Sequence, residues 1–90
     1  MKKWLAVYSI AQEKTQLAFG TAIQGLDENC FDLIDHHAIA FRSDKNTDEI
    51  HKILVSQCIE PEDEVWILAL ENKFTGNGNA LADLKEFLHP

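Results

Sequence analysis

Ninety residues suffice for one small domain, because two domains cut from this length would each lack a self-supporting core. Eight basic side chains against fifteen acidic ones leave a formal net charge of −7; this argues against a general nucleic-acid binder, which draws its affinity from phosphate neutralisation by Lys and Arg, and suits a basic protein partner. The hydrophobic share of 46% can fill an interior, no run is long and apolar enough to cross a membrane, and two cysteines are too few for a secreted disulfide scaffold, so Cys30 and Cys58 are expected as reduced core thiols in a cytoplasmic protein.

Residues 3–11 read as the first strand, with Trp4, Ala6, Tyr8 and Ile10 on one face and Leu5, Val7, Ser9 and Ala11 on the other. Both sets are mostly apolar, which places this strand in the interior of a sheet. Met1-Lys2-Lys3 before an apolar stretch has the outline of a signal peptide, but the stretch is too short and polar residues follow at once. Residues 12–15 are polar and read as a hairpin connection. A second strand is expected over 16–24, with Leu17, Phe19, Thr21 and Ile23 on one face and Gly20 among small residues on the other, open to close approach. Residues 25–29 form a turn. The third strand spans 30–41; Asp35 and His37 interrupt its apolar stripe of Phe31, Leu33, Ile39 and Phe41, as suits an edge strand or a bulge.

Residues 42–45 are a loop, after which Asn46 and Glu49 have the spacing of a capping box. The first helix runs to about Cys58 with Ile50, Ile53, Leu54 and Cys58 as its buried stripe, and Pro61 stops it. Residues 65–70, Val-Trp-Ile-Leu-Ala-Leu, are the longest uninterrupted apolar run in the chain. A short run of this kind, β-branched and aromatic, reads as a central strand buried on both faces. Residues 74–78 are a loop, and Asn79 caps a second helix through Leu88, with Leu81, Leu84 and Leu88 on one face. The expected fold is therefore α/β (α+β): a single domain over 1–90 with one four-stranded mixed sheet, element order β-β-β-α-β-α and strand order 3-2-1-4. A right-handed crossover makes the fourth strand parallel to the first, and the helices pack on the sheet.

This order resembles the front half of the ribonuclease H-like fold over residues 3–88. The hairpin, the Gly20 strand, the third strand, the helix opening at Thr47-Asp48-Glu49-Ile50 and Leu70-Glu71-Asn72 at the end of the fourth strand carry the likeness. The resemblance implies a carboxylate cluster holding two divalent ions for phosphodiester hydrolysis. Glu49 and Glu71 stand at two of its places. The first strand brings no acid, since none precedes Glu13, so the cluster is incomplete.

Other chemistry has weaker signals. Asp35 and His37 share one face of the expected third strand and would need a third metal ligand such as His51, so a solvated edge is the favoured reading there. Gly76-Asn77-Gly78-Asn79 lies before a helix but fits neither the Walker nor the dinucleotide spacing. Cys30, Cys58, Ser9, Ser43 and Ser56 sit in no nucleophile elbow. No cofactor is expected. Glu60, Glu62, Asp63 and Glu64 form an acidic run before the central strand, which Asp27 and Glu28 could extend. The expected function is a non-enzymatic protein-binding module, by analogy a small acidic inhibitor or immunity-type protein, such as an anti-defence inhibitor of a phage or mobile element, that covers a basic surface of its target. The runners-up are a reduced metal-dependent nuclease using Glu49 and Glu71, and an accessory or self-associating subunit.

Overall fold

A computed structural model describes residues 1–58, 60–71 and 76–88. The elements in chain order are β1 (Lys2–Ser9), α1 (Glu13–Leu26), β2 (Phe31–Ile34), β3 (Ala38–Ser43), α2 (Thr47–Cys58), β4 (Glu64–Ala69) and α3 (Leu81–Leu88). The class holds: one four-stranded sheet with helices packed on it. Its order is β2-β3-β1-β4, and every neighbouring pair is antiparallel. Two βαβ units are each split by a strand of the other, the arrangement known as ferredoxin-like.

Three expectations are corrected. Residues 13–26 are a helix, so the expected strand at 16–24 and the element order β-β-β-α-β-α give way. The segment carries two periodicities at once. Thr15, Phe19, Ala22 and Ile23 are buried at helical spacing, with Leu26 beside the core, whereas Leu17 and Thr21, on the face the strand reading shares, are exposed. A Cβ added at Gly20 would meet nothing within 4 Å, so no close packing requires that glycine. Next, the expected third strand is a hairpin. Asp35, His36 and His37 are its turn, with His36 at φ 62, and a bulge lies between Asp32 and Ile34. Polar residues inside an apolar stripe marked a turn, where short polar side chains tolerate positive φ. The third correction concerns the sheet, which is antiparallel rather than mixed. Once one early strand is a helix, α2 returns the chain parallel to β3, and β4 pairs with β1 in the opposite sense. The strand order 3-2-1-4 falls with it, although β4 keeps the edge place beside β1 that this order gave it; what fails is the reading of the 65–70 run as a central strand buried on both faces, since Trp66 and Leu68 are exposed.

The expected interior position of β1 holds, as does its pairing with the apolar run that became β4. Strand alternation divides the sheet into two faces. Trp4, Ala6, Tyr8, Ile39 and Phe41 join Phe19, Ile23, Ile50 and Leu54 in the main core beneath α1 and α2. Tyr8 and Phe19 rings lie 4.5 Å apart, and the buried Trp4 Nε1 donates to the Ser43 carbonyl at 3.0 Å. The capping box is present: Glu49 N–H donates to Asn46 Oδ1 at 2.9 Å, and Asn46 N–H donates to Glu49 Oε1 at 3.3 Å.

On the opposite face α3 packs Leu84, Phe87 and Leu88 over Ala40, Leu5, Phe31, Leu33 and Leu70. Its end is held by two cations from neighbouring strands. Lys3 Nζ donates to the Leu88 carbonyl at 2.8 Å and Arg42 Nη2 to the Phe87 carbonyl at 3.1 Å. Lys3 and Arg42 are register partners, a like-charge pair that would be unfavourable alone; the negative end of the helix dipole offsets it. Arg42 also lies 4.1 Å from the centre of the Phe87 ring. The expected second helix is thus present, beginning at Leu81 rather than at Asn79. Part of the expected 74–78 loop lies outside the described residues, as does Asn72.

Candidate functional site

Alternation and register determine which atoms β4 offers to its surroundings. Leu70 N–H donates to the Lys3 carbonyl at 2.9 Å, so in this antiparallel ladder Leu68 and Trp66, opposite Leu5 and Val7, also turn their backbone groups toward β1. The N–H and C=O groups of Val65, Ile67 and Ala69 then point outward, where no strand of the described residues lies. Its six residues carry one charge, no proline and no bulge, so among the described residues nothing blunts this edge.

The side chains of Trp66 and Leu68 project on the face that α3 covers only in part. Register aligns Trp66, Val7, Ala38 and Ile34 in one row across all four strands, next to the row covered by α3. Trp66 is 61% exposed, Ile34 57% and Leu68 48%. Isolated exposed apolar side chains, such as Ile34 on the far edge strand, are ordinary, but Trp66 and Leu68 lie side by side on one face of β4 and form an apolar pair of the kind used in association. Beside the same edge runs a groove of about 450 Å³, lined among others by His51, Val55, Glu60, Pro61, Glu64 and Trp66.

The acidic run occupies the end of the edge where β4 begins. Glu60, Glu62 and Glu64 are exposed. Asp63 has a structural task, because its carboxylate accepts from Glu60 N–H at 3.0 Å and Ala11 N–H at 3.4 Å. Asp27 and Glu28 do not extend this surface. Asp27 accepts from Asn29 N–H at 2.9 Å and Arg42 N–H at 2.8 Å, which fixes it at the opposite end of the sheet. Arg42 pairs with Lys3 near the start of β1, whereas Glu64 pairs with Ser9 at its finish.

The metal and nuclease candidates are dispersed. Glu71 is exposed after β4, and the Glu49 carboxylate is engaged in the capping box. Asp35 and His37 lie in the turn of the β2–β3 hairpin, with Asp35 3.5 Å from His36; His51 lies beside β4, at the other edge. Among the described residues, no three His, Cys, Asp or Glu side chains gather closely enough to hold a metal ion. Two segments that carried the ribonuclease H likeness, the hairpin connection at 12–15 and the Gly20 strand, belong instead to the start and body of α1.

A second depression, between α1 and the β2–β3 hairpin, is lined by Tyr8, Gln16, Gly20, Cys30, Asp32 and His36, among others. Its chemistry is muted. Burial pushes the Cys30 thiol up, and Asp27 and Asp32 push it further, away from the thiolate that a nucleophile needs. Burial followed by Asp32 and Asp35 raises the Tyr8 hydroxyl to about 12, which keeps it neutral. The Cys58 side chain lies outside the described residues.

The sequence signal for the β4 edge and its apolar row is the 65–70 run, whose continuity implies burial on both faces, whereas Trp66 and Leu68 are exposed. Comparisons with family models, with curated proteins and with solved structures find no match for this chain. No described helix is long and apolar enough to cross a membrane.

Proposed function

We propose that this chain is a non-enzymatic protein-binding module of the acidic inhibitor or immunity type, and that its target presents a basic surface. The observation that carries the reading is the β4 edge, which no strand among the described residues pairs, with Trp66 and Leu68 exposed beside it. An apolar edge of this kind invites unwanted pairing, and proteins ordinarily blunt it with charge, proline or a bulge. Its retention fits a surface that is covered when the protein works. A partner covering the open part of Trp66 would bury on the order of 100 Å², or about 2.5 kcal/mol of apolar transfer energy. The net charge of −7 and the acids at 60, 62 and 64 favour a cationic target and a fast, salt-sensitive encounter.

The test is capture from native lysate with tagged protein, before and after nuclease treatment, using three proteins in parallel. These are the wild type, Trp66→Ala with Leu68→Ser, and a charge reversal at Glu60, Glu62 and Glu64 that spares Asp63 for its role in the loop. One protein recovered in stoichiometric amount despite nuclease, and lost with either variant, is the expected result. Recovery that depends on intact nucleic acid, or that is equal in all three, contradicts the reading.

A further inference from the structure

We propose that the partner binds by strand addition: an extended segment, apolar at its centre and rich in Lys or Arg at its ends, pairs its backbone with the open edge of β4. This rests on the protein-binding reading above and specifies how the partner engages. The geometry points to the backbone first. Val65, Ile67 and Ala69 present three outward N–H and three outward C=O groups at the regular spacing of an antiparallel ladder, the arrangement to which an extended peptide adds. Specificity then comes from the flanks. On one side of such a strand lie Trp66 and Leu68; on the other, the groove by Val55 and Pro61 receives alternate side chains.

Charge selects the occupant. Glu60, Glu62 and Glu64 stand at the start of the edge and Glu71 at its finish, all exposed. A second copy is the competing occupant, and this distribution disfavours it. Two β4 strands paired about Ile67 would set Asp63 of each copy opposite Glu71 of the other, a like-charge contact at both ends. A basic segment meets the same carboxylates with attraction, so the partner carries the cations.

The test uses the intact protein and a fluorescent peptide, Lys-Lys-Val-Thr-Val-Thr-Val-Lys-Lys. Two versions are N-methylated, one at every valine amide and the other at every threonine amide; a third has Glu in place of Lys. An added strand turns only one set of amides toward β4. Binding is therefore expected to fall at least about tenfold for one methylated peptide and to persist for the other. The Glu peptide should not bind. Ala69→Pro provides the matching change on the protein: it removes an outward N–H while sparing the bonds to β1, and should weaken binding by about tenfold without lowering the melting temperature. If that variant unfolds, the methylated pair still decides.

Equal binding of both methylated peptides overturns strand addition. If that binding still needs Lys and weakens with salt, the reading of a basic partner stands without it. Lack of binding at millimolar peptide, with lysate capture intact, overturns strand addition alone. Concentration-dependent dimerisation that Ala69→Pro abolishes overturns the basic occupant in favour of a second copy.

Discussion

Replacing Phe19 and Leu17 separately by alanine should give very unequal losses of stability. The two residues are two positions apart, so in a strand they would share a face, whereas on a helix they lie about 200° apart. Phe19 is fully buried and its ring lies 4.5 Å from that of Tyr8; Leu17 is 67% exposed. Removing a buried phenylalanine costs about 3–5 kcal/mol through lost transfer energy and the cavity left behind. The aromatic pair contributes a further ~1 kcal/mol. For a 90-residue domain, whose total stability is about 5–13 kcal/mol, Phe19→Ala would remove a third or more. Its melting temperature should fall by about 12 °C or more. Leu17→Ala should change stability by no more than about 0.5 kcal/mol, since both residues are good helix formers and the site is open. Urea unfolding followed by far-ultraviolet circular dichroism measures both. Comparable losses at the two positions would refute the helix and the core beneath it.

Three further outcomes follow from the packing. Gly20→Ala should stabilise the protein by about 0.5–1 kcal/mol, because a helix-interior glycine is costly and a Cβ there meets nothing within 4 Å; a loss in the same urea assay would contradict the geometry. Burial holds Tyr8 protonated up to about 12 in the fold, against the ordinary tyrosine value of 10.0. Between those values the unfolded chain binds fewer protons than the folded one, so stability is complete below about pH 10 and declines as pH rises towards 12. Melting temperatures across that range should fall more steeply for the wild type than for Tyr8→Phe. Arg42→Ala removes a hydrogen bond to the Phe87 carbonyl and the ring contact, and should cost about 1–2 kcal/mol after relief of the repulsion with Lys3. Faster amide exchange confined to α3 is its signature.

The sequence disclosed most where one pattern had a single reading. Asn46 and Glu49 announced the start of α2, and two apolar sets at residues 4–10 announced an interior strand. Residues 13–26 contained both a period of two and a helical period. Alternation through Leu17, Phe19, Thr21 and Ile23 competed with Thr15, Phe19, Ala22, Ile23 and Leu26, and only tertiary packing shows that Leu17 is outside. One misassigned element then reversed the sense of the last strand, since each connection sets the direction of the next. The 65–70 run reads as doubly buried because folded proteins rarely leave such a strand open. That expectation concealed the candidate site, whose defining property is exposure. The division of the acids was equally hidden: Asp63 and Asp27 bind backbone amides, a role that a run of like charges in a sequence does not distinguish from a free surface.

Hydrogen exchange at the amides of β4 shows whether its outer edge is open. In the isolated protein the amides of Trp66 and Leu68 should be protected by β1, while those of Val65, Ile67 and Ala69 should exchange rapidly. Protection alternating in that phase is expected of an open edge. Uniform protection along all five would mean that the edge is already paired, and would contradict its openness.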